Sequence, residues 1–174
     1  FYGNGLSKLL QSKVDIDGGA IFAYPVRDPE RFGVVTFDDN HKATSIEEKP
    51  ENPKSNYAVP GLYFYDNEVV AIAKSIKPSA RGEKEITAIN QAYLAKGRLD
   101  VVVMSRGMTW FDTGTVDALD DATEFIRVLQ RNQSTMIRCL EEIAYQMSWI
   151  TYDALKESAK RYGKGNYAHY INTL

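Results

Sequence analysis

The chain has 174 residues, of which 44% are hydrophobic, and its 21 basic and 23 acidic side chains nearly cancel to a net charge of −2. That balance excludes a disordered chain, and the lack of any long single-sign block leaves no stripe for nucleic acid or a membrane surface. The longest apolar runs, such as Val101-Val102-Val103-Met104, are too short to span a bilayer, and the single Cys139 rules out an internal disulfide framework and fits a reducing cytoplasm.

The chain opens at Phe1-Tyr2-Gly3-Asn4-Gly5 without a Met or a signal-peptide pattern, which raises the expectation of a fragment of a longer protein. Residues 6 to 13 read as a short amphipathic helix. After Gly18-Gly19, the run from Ala20 to Val26 is apolar and β-rich, as a buried strand is. Gly33 to Phe37 and Ala43 to Glu47 flank Asp38-Asp39-Asn40-His41, the pattern of a hairpin.

Tyr57 to Tyr65 reads as one further strand. Asp66-Asn67 is placed to cap a helix from about Glu68 to Ser75, with Val69, Val70, Ile72 and Ile76 assigned to one face. Glu83 to Lys96 predicts a second helix ended by Gly97, and Leu99 to Met104 another β-branched strand. Alternating strands and helices indicate an α/β architecture with at least part of a parallel sheet. Beyond Thr115 the pattern turns helical, over Val116 to Gln130, Leu140 to Met147, Thr151 to Ala159 and Gly165 to Leu174. The expected organisation is an α/β part over 1–115 and a helical part over 116–174.

Several short strings carry candidate chemistry. Gly33, opening a strand in Arg31-Phe32-Gly33-Val34-Val35, allows close approach to its backbone N–H. In Glu47-Glu48-Lys49-Pro50, a carboxylate suits vicinal hydroxyls and an ammonium suits a phosphate, although alternation puts Glu48 and Lys49 on opposite faces unless the strand bends. Arg81, ahead of Gly82 and an acidic helix start, offers a planar fork of donors to an anion. Asp112, within Trp110-Phe111-Asp112-Thr113-Gly114-Thr115, is a hard-oxygen donor for a cation such as Mg²⁺ and needs a second carboxylate from elsewhere. Each string also has a plain reading, as a solvated strand end, a cap or a turn.

In order and spacing, Phe-Gly-Val-Val, Glu-Glu-Lys-Pro, Tyr-Ala-Val-Pro-Gly-Leu-Tyr-Phe-Tyr-Asp, Arg-Gly-Glu-x-Glu-Ile-Thr and Trp-x-Asp-Thr-Gly-Thr resemble the glucose-1-phosphate thymidylyltransferases. The likeness spans essentially the whole chain and is strongest from residue 20 to 130. It implies the C-terminal portion of a Rossmann-like nucleotidyltransferase with helical additions, acting on glucose 1-phosphate and dTTP as a cytoplasmic homotetramer. By resemblance, Gly33, Glu48 and Val59 would hold the sugar and Trp110 would line its pocket. Lys49 and Arg81 would grip the phosphate as the catalytic cations, and Asp112 would bind Mg²⁺. The family's Gly-Gly-x-Gly-x-Arg-Leu-x-Pro nucleotide loop and second metal aspartate are not in this sequence, so no transfer is expected of this chain alone. Phe32 stands where the family commonly has Tyr. Gln146 replaces a frequent basic residue of a regulatory nucleotide site, so feedback inhibition is not expected. The alternatives are a related UTP- or CTP-using enzyme, or a noncatalytic sugar-phosphate-binding module.

Overall fold

The run Ala20-Ile21-Phe22-Ala23 is apolar without alternation, and all of it is fully buried. A strand with both faces covered has that composition, and β1 (Gly19–Pro25) is such a strand. In the computed structural model, which describes residues 5–79 and 82–174, the chain divides into two units, Phe1–Asp112 and Thr113–Leu174.

In the first unit, α1 (Leu6–Gln11) precedes β1, followed by β2 (Gly33–Phe37), β3 (Ala43–Glu48), β4 (Tyr57–Ala58), β5 (Tyr63–Tyr65), α2 (Val69–Ser75), α3 (Ile86–Ala95) and β6 (Leu99–Val103). The sheet is mixed: β6 runs parallel to β1, while β4 and β5 pair with it antiparallel. β2 and β3 form the expected hairpin, joined to the rest through the pairing of Val34 with Ala58. Ile21 and Ala23 pack with Val35, Ile46, Ile89, Tyr93, Leu99 and Val101 in one core. Phe22 points the other way, to Val102, Met104 and Met108.

The single strand expected over 57–65 is two. Ala58 stands opposite Tyr24 and Tyr63 opposite Ile21, so five steps on one strand (63 − 58) match three on β1 (24 − 21). Pro60, which has no N–H for the ladder, and Gly61 take up the slack. The helix expected from Glu83 begins at Ile86. On α2, Val70 is half exposed, and the residues that reach the core are Val69, Ile72, Ala73 and Ile76. Val70 lies about 100° from Val69 on a 3.6-residue helix and falls off the inner face.

A polar knot closes the start of β1. Asp66 accepts the N–H of Gly18 at 3.0 Å, the N–H of Glu68 at 3.0 Å, the Tyr93 hydroxyl at 2.7 Å and the Arg98 guanidinium at 2.6 Å. Gly18 has φ +117°, and a Cβ there would meet the Arg98 carbonyl oxygen at 2.5 Å, so only glycine fits. The Tyr93 hydrogen bond is the main cause that holds the Asp66 carboxyl below its usual value of 3.8. Desolvation opposes it, while the Glu68 N–H, Arg98 and the Gly18 N–H add to it.

The second unit contains α4 (Val116–Gln133), α5 (Leu140–Gln146), α6 (Tyr152–Ala159) and α7 (Asn166–Thr173). Thr115 and Thr151 cap α4 and α6 by accepting the N–H of Ala118 and Ala154, each at 3.2 Å. Cys139, Leu155, Ala159 and Ile171 form its core. Burial pushes the Glu141 carboxyl up, but the hydroxyls of Tyr162 and Tyr167, each at 2.5 Å, outweigh it and hold the group below its ordinary value. Those phenols tie α5 to α7 and to the segment that leads into it. Gln146 donates to Glu142 at 3.0 Å on the same helix.

The Asp66 knot sets a pH dependence. A carboxyl whose folded value lies below 3.8 stabilises the fold fully above that pH, and the contribution drains away as the folded group takes up its proton. Thermal melts are expected to show the midpoint falling as pH drops below ~4. Asp66→Asn should lower the midpoint at pH 7 and flatten that acid limb, whereas a parallel, unflattened limb would refute this role.

Candidate functional site

A hollow of about 230 Å³ opens in the first unit, lined by Arg31, Phe32, Gly33, Glu48, Lys49, Val59, Tyr63, Ile86, Thr87, Asn90 and Asp112. Strand β2 and the turn before it supply one wall, the end of β3 another, and the first turns of α3 the floor. Of the residues singled out from sequence, Gly33, Glu48, Lys49, Val59 and Asp112 come together here. Arg81 lies outside the described residues. Trp110 was expected to line the hollow and does not. It packs edge-on to Phe32 at 5.2 Å and to Tyr24 at 5.8 Å, one ring behind the wall.

The ladder between β2 and β3 explains the glycine. Gly33 stands opposite Glu48, and the Lys49 N–H donates to the Phe32 carbonyl at 3.0 Å. Phe32 and Lys49 are therefore a hydrogen-bonded pair and Gly33 and Glu48 a non-hydrogen-bonded one, where side chains approach most closely. Gly33 uses its carbonyl for the Val59 N–H at 2.8 Å, so its polar groups turn away from β3. A Cβ at Gly33 would sit 3.2 Å from Glu48 Oε2 and 3.5 Å from Thr87 Oγ1. Glycine here keeps space in front of the carboxylate.

Lys49 resolves the problem of alternation. Its φ is +44°, in the left-handed region, directly before Pro50. That bend breaks the strand's two-residue period and brings the Lys49 side chain to the same hollow as Glu48. For a residue with a Cβ the conformation costs about 1–2 kcal/mol, and such strain concentrates where function requires it.

Polarity is layered through the hollow. At the floor, Thr87 and Asn90 are uncharged and only 4% and 1% exposed. Glu48 is half-buried above them, and Thr87 fixes it by donating to Oε2 at 2.5 Å. Arg31, Lys49 and Asp112 are exposed at the rim. Arg31 is held by Asp28 at 2.7 Å and lies over the Phe32 ring. The Asp28 hydrogen bond is the main cause that raises the Arg31 basicity, with a smaller contribution from Asp112. Lys49 makes no ion pair among the described residues, which leaves its ammonium available to an anion. Sequence reasoning missed Arg31, Phe32, Tyr63, Ile86, Thr87 and Asn90 as lining residues. The spacing of Ile86, Thr87 and Asn90 over one helical turn was the available signal.

A larger hollow of about 430 Å³, in the same unit, is lined by Lys13, Asn40, His41, Lys42 and Asp100. Both lysines there are paired with Asp100, which offsets one of their two charges. No cluster of three metal-ligating side chains occurs among the described residues. Asp112 therefore fits a divalent cation as one hard-oxygen ligand and not as a complete centre.

A mixed sheet carrying helices, with a hydroxyl-accepting carboxylate and an open cation on one hollow, belongs to the nucleotidyltransferase-like folds, and residues 1–128 match the family model for the nucleotidyl transferases. The chain belongs to that family. It is 52% identical over its full length to a glucose-1-phosphate thymidylyltransferase of Mycobacterium tuberculosis and 48% identical to the enzyme of that name from Neisseria meningitidis. It spans 60% and 61% of those proteins respectively. Among solved structures, a Bacillus anthracis glucose-1-phosphate thymidylyltransferase in complex with a sucrose superposes with a TM-score of 0.60. It is 40% identical, and the match covers 72% of this chain and 50% of that one.

The strain at Lys49 makes a signed prediction. Alanine ordinarily stabilises a protein over glycine by roughly 0.5–1 kcal/mol. At a left-handed site the order should reverse, with Lys49→Gly more stable in urea than Lys49→Ala by up to ~1 kcal/mol. Lys49→Ala as the more stable of the two would show that the bend is not imposed on the chain.

Proposed function

We propose that this chain is the sugar-phosphate-binding portion of a glucose-1-phosphate thymidylyltransferase, joining glucose 1-phosphate to dTTP with release of pyrophosphate. The observation that carries the reading is the bend at Lys49, which sets a carboxylate and an ammonium on one hollow with the neutral floor beneath them. A hexose 1-phosphate has matching polarity, with a neutral ring of hydroxyls at one end and a dianion at the other. The ring fits the inner part, where Glu48 accepts from two hydroxyls and the open backbone at Gly33 and Val59 lies alongside. The phosphate fits the rim, beside Lys49. The names of the relatives support the same substrates.

In the reaction, a phosphate oxygen of the sugar attacks the α-phosphorus of dTTP, forming one P–O bond as the bond to the departing pyrophosphate breaks. Two anions must approach, so positioning and charge neutralisation supply most of the catalysis. Lys49 lies where it neutralises the attacking phosphate, and Arg81 belongs to the same role. A divalent metal, for which Mg²⁺ is the proposed ion, supplies further neutralisation when bound, with Asp112 as one ligand. Glu48, oriented by Thr87, holds the ring so that its phosphate faces outward. Trp110 acts from behind, by keeping Phe32 in place.

The nucleotide loop of the family and its second metal carboxylate are outside these 174 residues. In this reading the segment is the C-terminal portion of the enzyme, binds sugar phosphate on its own, and takes part in transfer only with the remainder of the protein. Assembly as a tetramer belongs to the whole enzyme.

Calorimetric titration of the chain with glucose 1-phosphate tests the assignment. Glu48→Gln and Lys49→Met should each weaken binding by about 10- to 100-fold, the range of a lost hydrogen bond to a charged group. Lys49→Met should also abolish competition by inorganic phosphate, while Glu48→Gln should leave it. Variants that bind like the parent would end the assignment.

A further inference from the structure

Asn90 is a lining residue of the hollow and is 1% exposed, yet its Nδ2 has no hydrogen-bond partner. The other end of its carboxamide is occupied, because Oδ1 accepts the Tyr65 hydroxyl at 2.5 Å. Tyr65 is in turn stacked between Tyr63, at 6.0 Å and 9°, and Tyr93, at 5.3 Å and 14°. The phenol therefore has little freedom to move, and the amide it grips is locked in orientation. The result is a donor with two N–H groups, shielded from bulk water, on a side chain that lines the cavity and is held at its other end.

A buried polar group without a partner is destabilising, and native proteins rarely leave one without cause. Among the described residues no other buried side-chain nitrogen or oxygen lacks a partner; at this depth in the hollow Thr87 donates to Glu48. The neighbours also determine what the amide is suited to bind. Glu48 is an acceptor only, so a ligand hydroxyl that donates its proton to Glu48 keeps lone pairs free. A donor nearby completes that hydroxyl, and no charge is needed at this neutral floor. Phosphate is the wrong partner, since the cation lies at the rim.

We infer that Asn90 Nδ2 is a specificity-determining donor to a ring hydroxyl of the bound sugar, at the floor of the hollow below Glu48. The inference rests on the sugar-phosphate reading of this site and deepens it by giving the ring a second polar anchor. Sites that hydrogen-bond a substrate hydroxyl reject the analogue that lacks it, because their own buried group is then left unpaired. Asn90 thus discriminates between hexose phosphates that differ at one hydroxyl.

The test uses calorimetry on the chain with glucose 1-phosphate and its 2-, 3-, 4- and 6-deoxy analogues. The variants are Tyr65→Phe, Asn90→Leu and the double variant Asn90→Leu/Tyr65→Phe, in which no polar group of the pair is orphaned. The double variant should melt at or above the parent temperature and bind glucose 1-phosphate about 10-fold or more weakly, while Tyr65→Phe, which frees the amide to turn but keeps Nδ2, should lose less affinity than the double variant. One deoxy analogue should bind parent and double variant equally. Three results would overturn the inference: parent-like affinity in the double variant, an equal loss for every analogue, or loss of affinity accompanied by a fall in melting temperature. If Glu48→Gln still weakens binding when the double variant does not, the sugar site stands and only the role of Asn90 falls. If the parent chain does not bind glucose 1-phosphate at all, both readings fall together.

Discussion

Gly33 faces Glu48 across a non-hydrogen-bonded step of the β2–β3 ladder, the narrowest spacing an antiparallel pair offers. A methyl at Gly33 would stand 3.2 Å from the Glu48 carboxylate, closer than side-chain atoms ordinarily approach. The hollow exists because that position is empty. Thr87 reaches the same carboxylate at 2.5 Å where α3 packs against β3, with Ile89 and Ile46 in one core. The remaining features of the site, including the buried floor and the rim charges, are arranged around the space this pair leaves.

The layering that follows has a physical logic. Charges placed at the rim keep most of their hydration, and Lys49 and Asp112 are exposed there. A carboxylate lower down needs a donor, and Thr87 is that donor. At the floor, where desolvation would be severe, only neutral polar groups occur. A ligand with a neutral polyol at one end and a charged group at the other matches this gradient in one orientation. On the proposed reading, binding in that orientation presents the charged end outward.

The knot at Asp66 serves the site from a distance. It pins the start of β1, the turn after β5, the Tyr93 ring on α3 and the start of β6 to one carboxylate. Tyr93 lies one turn beyond Asn90 on α3 and stacks on Tyr65, the ring that holds the Asn90 amide. The depth and orientation of the floor are thereby tied to the best-connected polar cluster of the unit. Burial raises the basicity of both phenols, with neighbouring Tyr63 and Asp66 adding to it, so each keeps its proton and its donor role across the working pH range.

Much of this was legible in the residues themselves. The unbroken apolar run in β1 marked a strand covered on both faces, Asp38 to His41 marked the hairpin turn, and Thr115 and Thr151 marked two helix starts. These are local effects, set by side-chain periodicity and by groups a few residues apart. Glu48, Lys49, Gly33, Val59 and Asp112 were also identifiable, as members of strings whose order resembled a known family. What the linear pattern did not contain was the bend at Lys49, the division of 57–65 into two strands, the retreat of Trp110 behind Phe32, and the pairing of Thr87 with Glu48. Each of these is decided by atoms far apart in the chain, from Gly33 and Glu48 to Phe32 and Trp110, meeting in a packed interior, where a missing Cβ or a proline without an N–H matters only because of what stands opposite. Sequence by itself determined which groups were present and the elements that carry them; tertiary structure alone decided which way they face, because direction is set by packing and not by order along the chain.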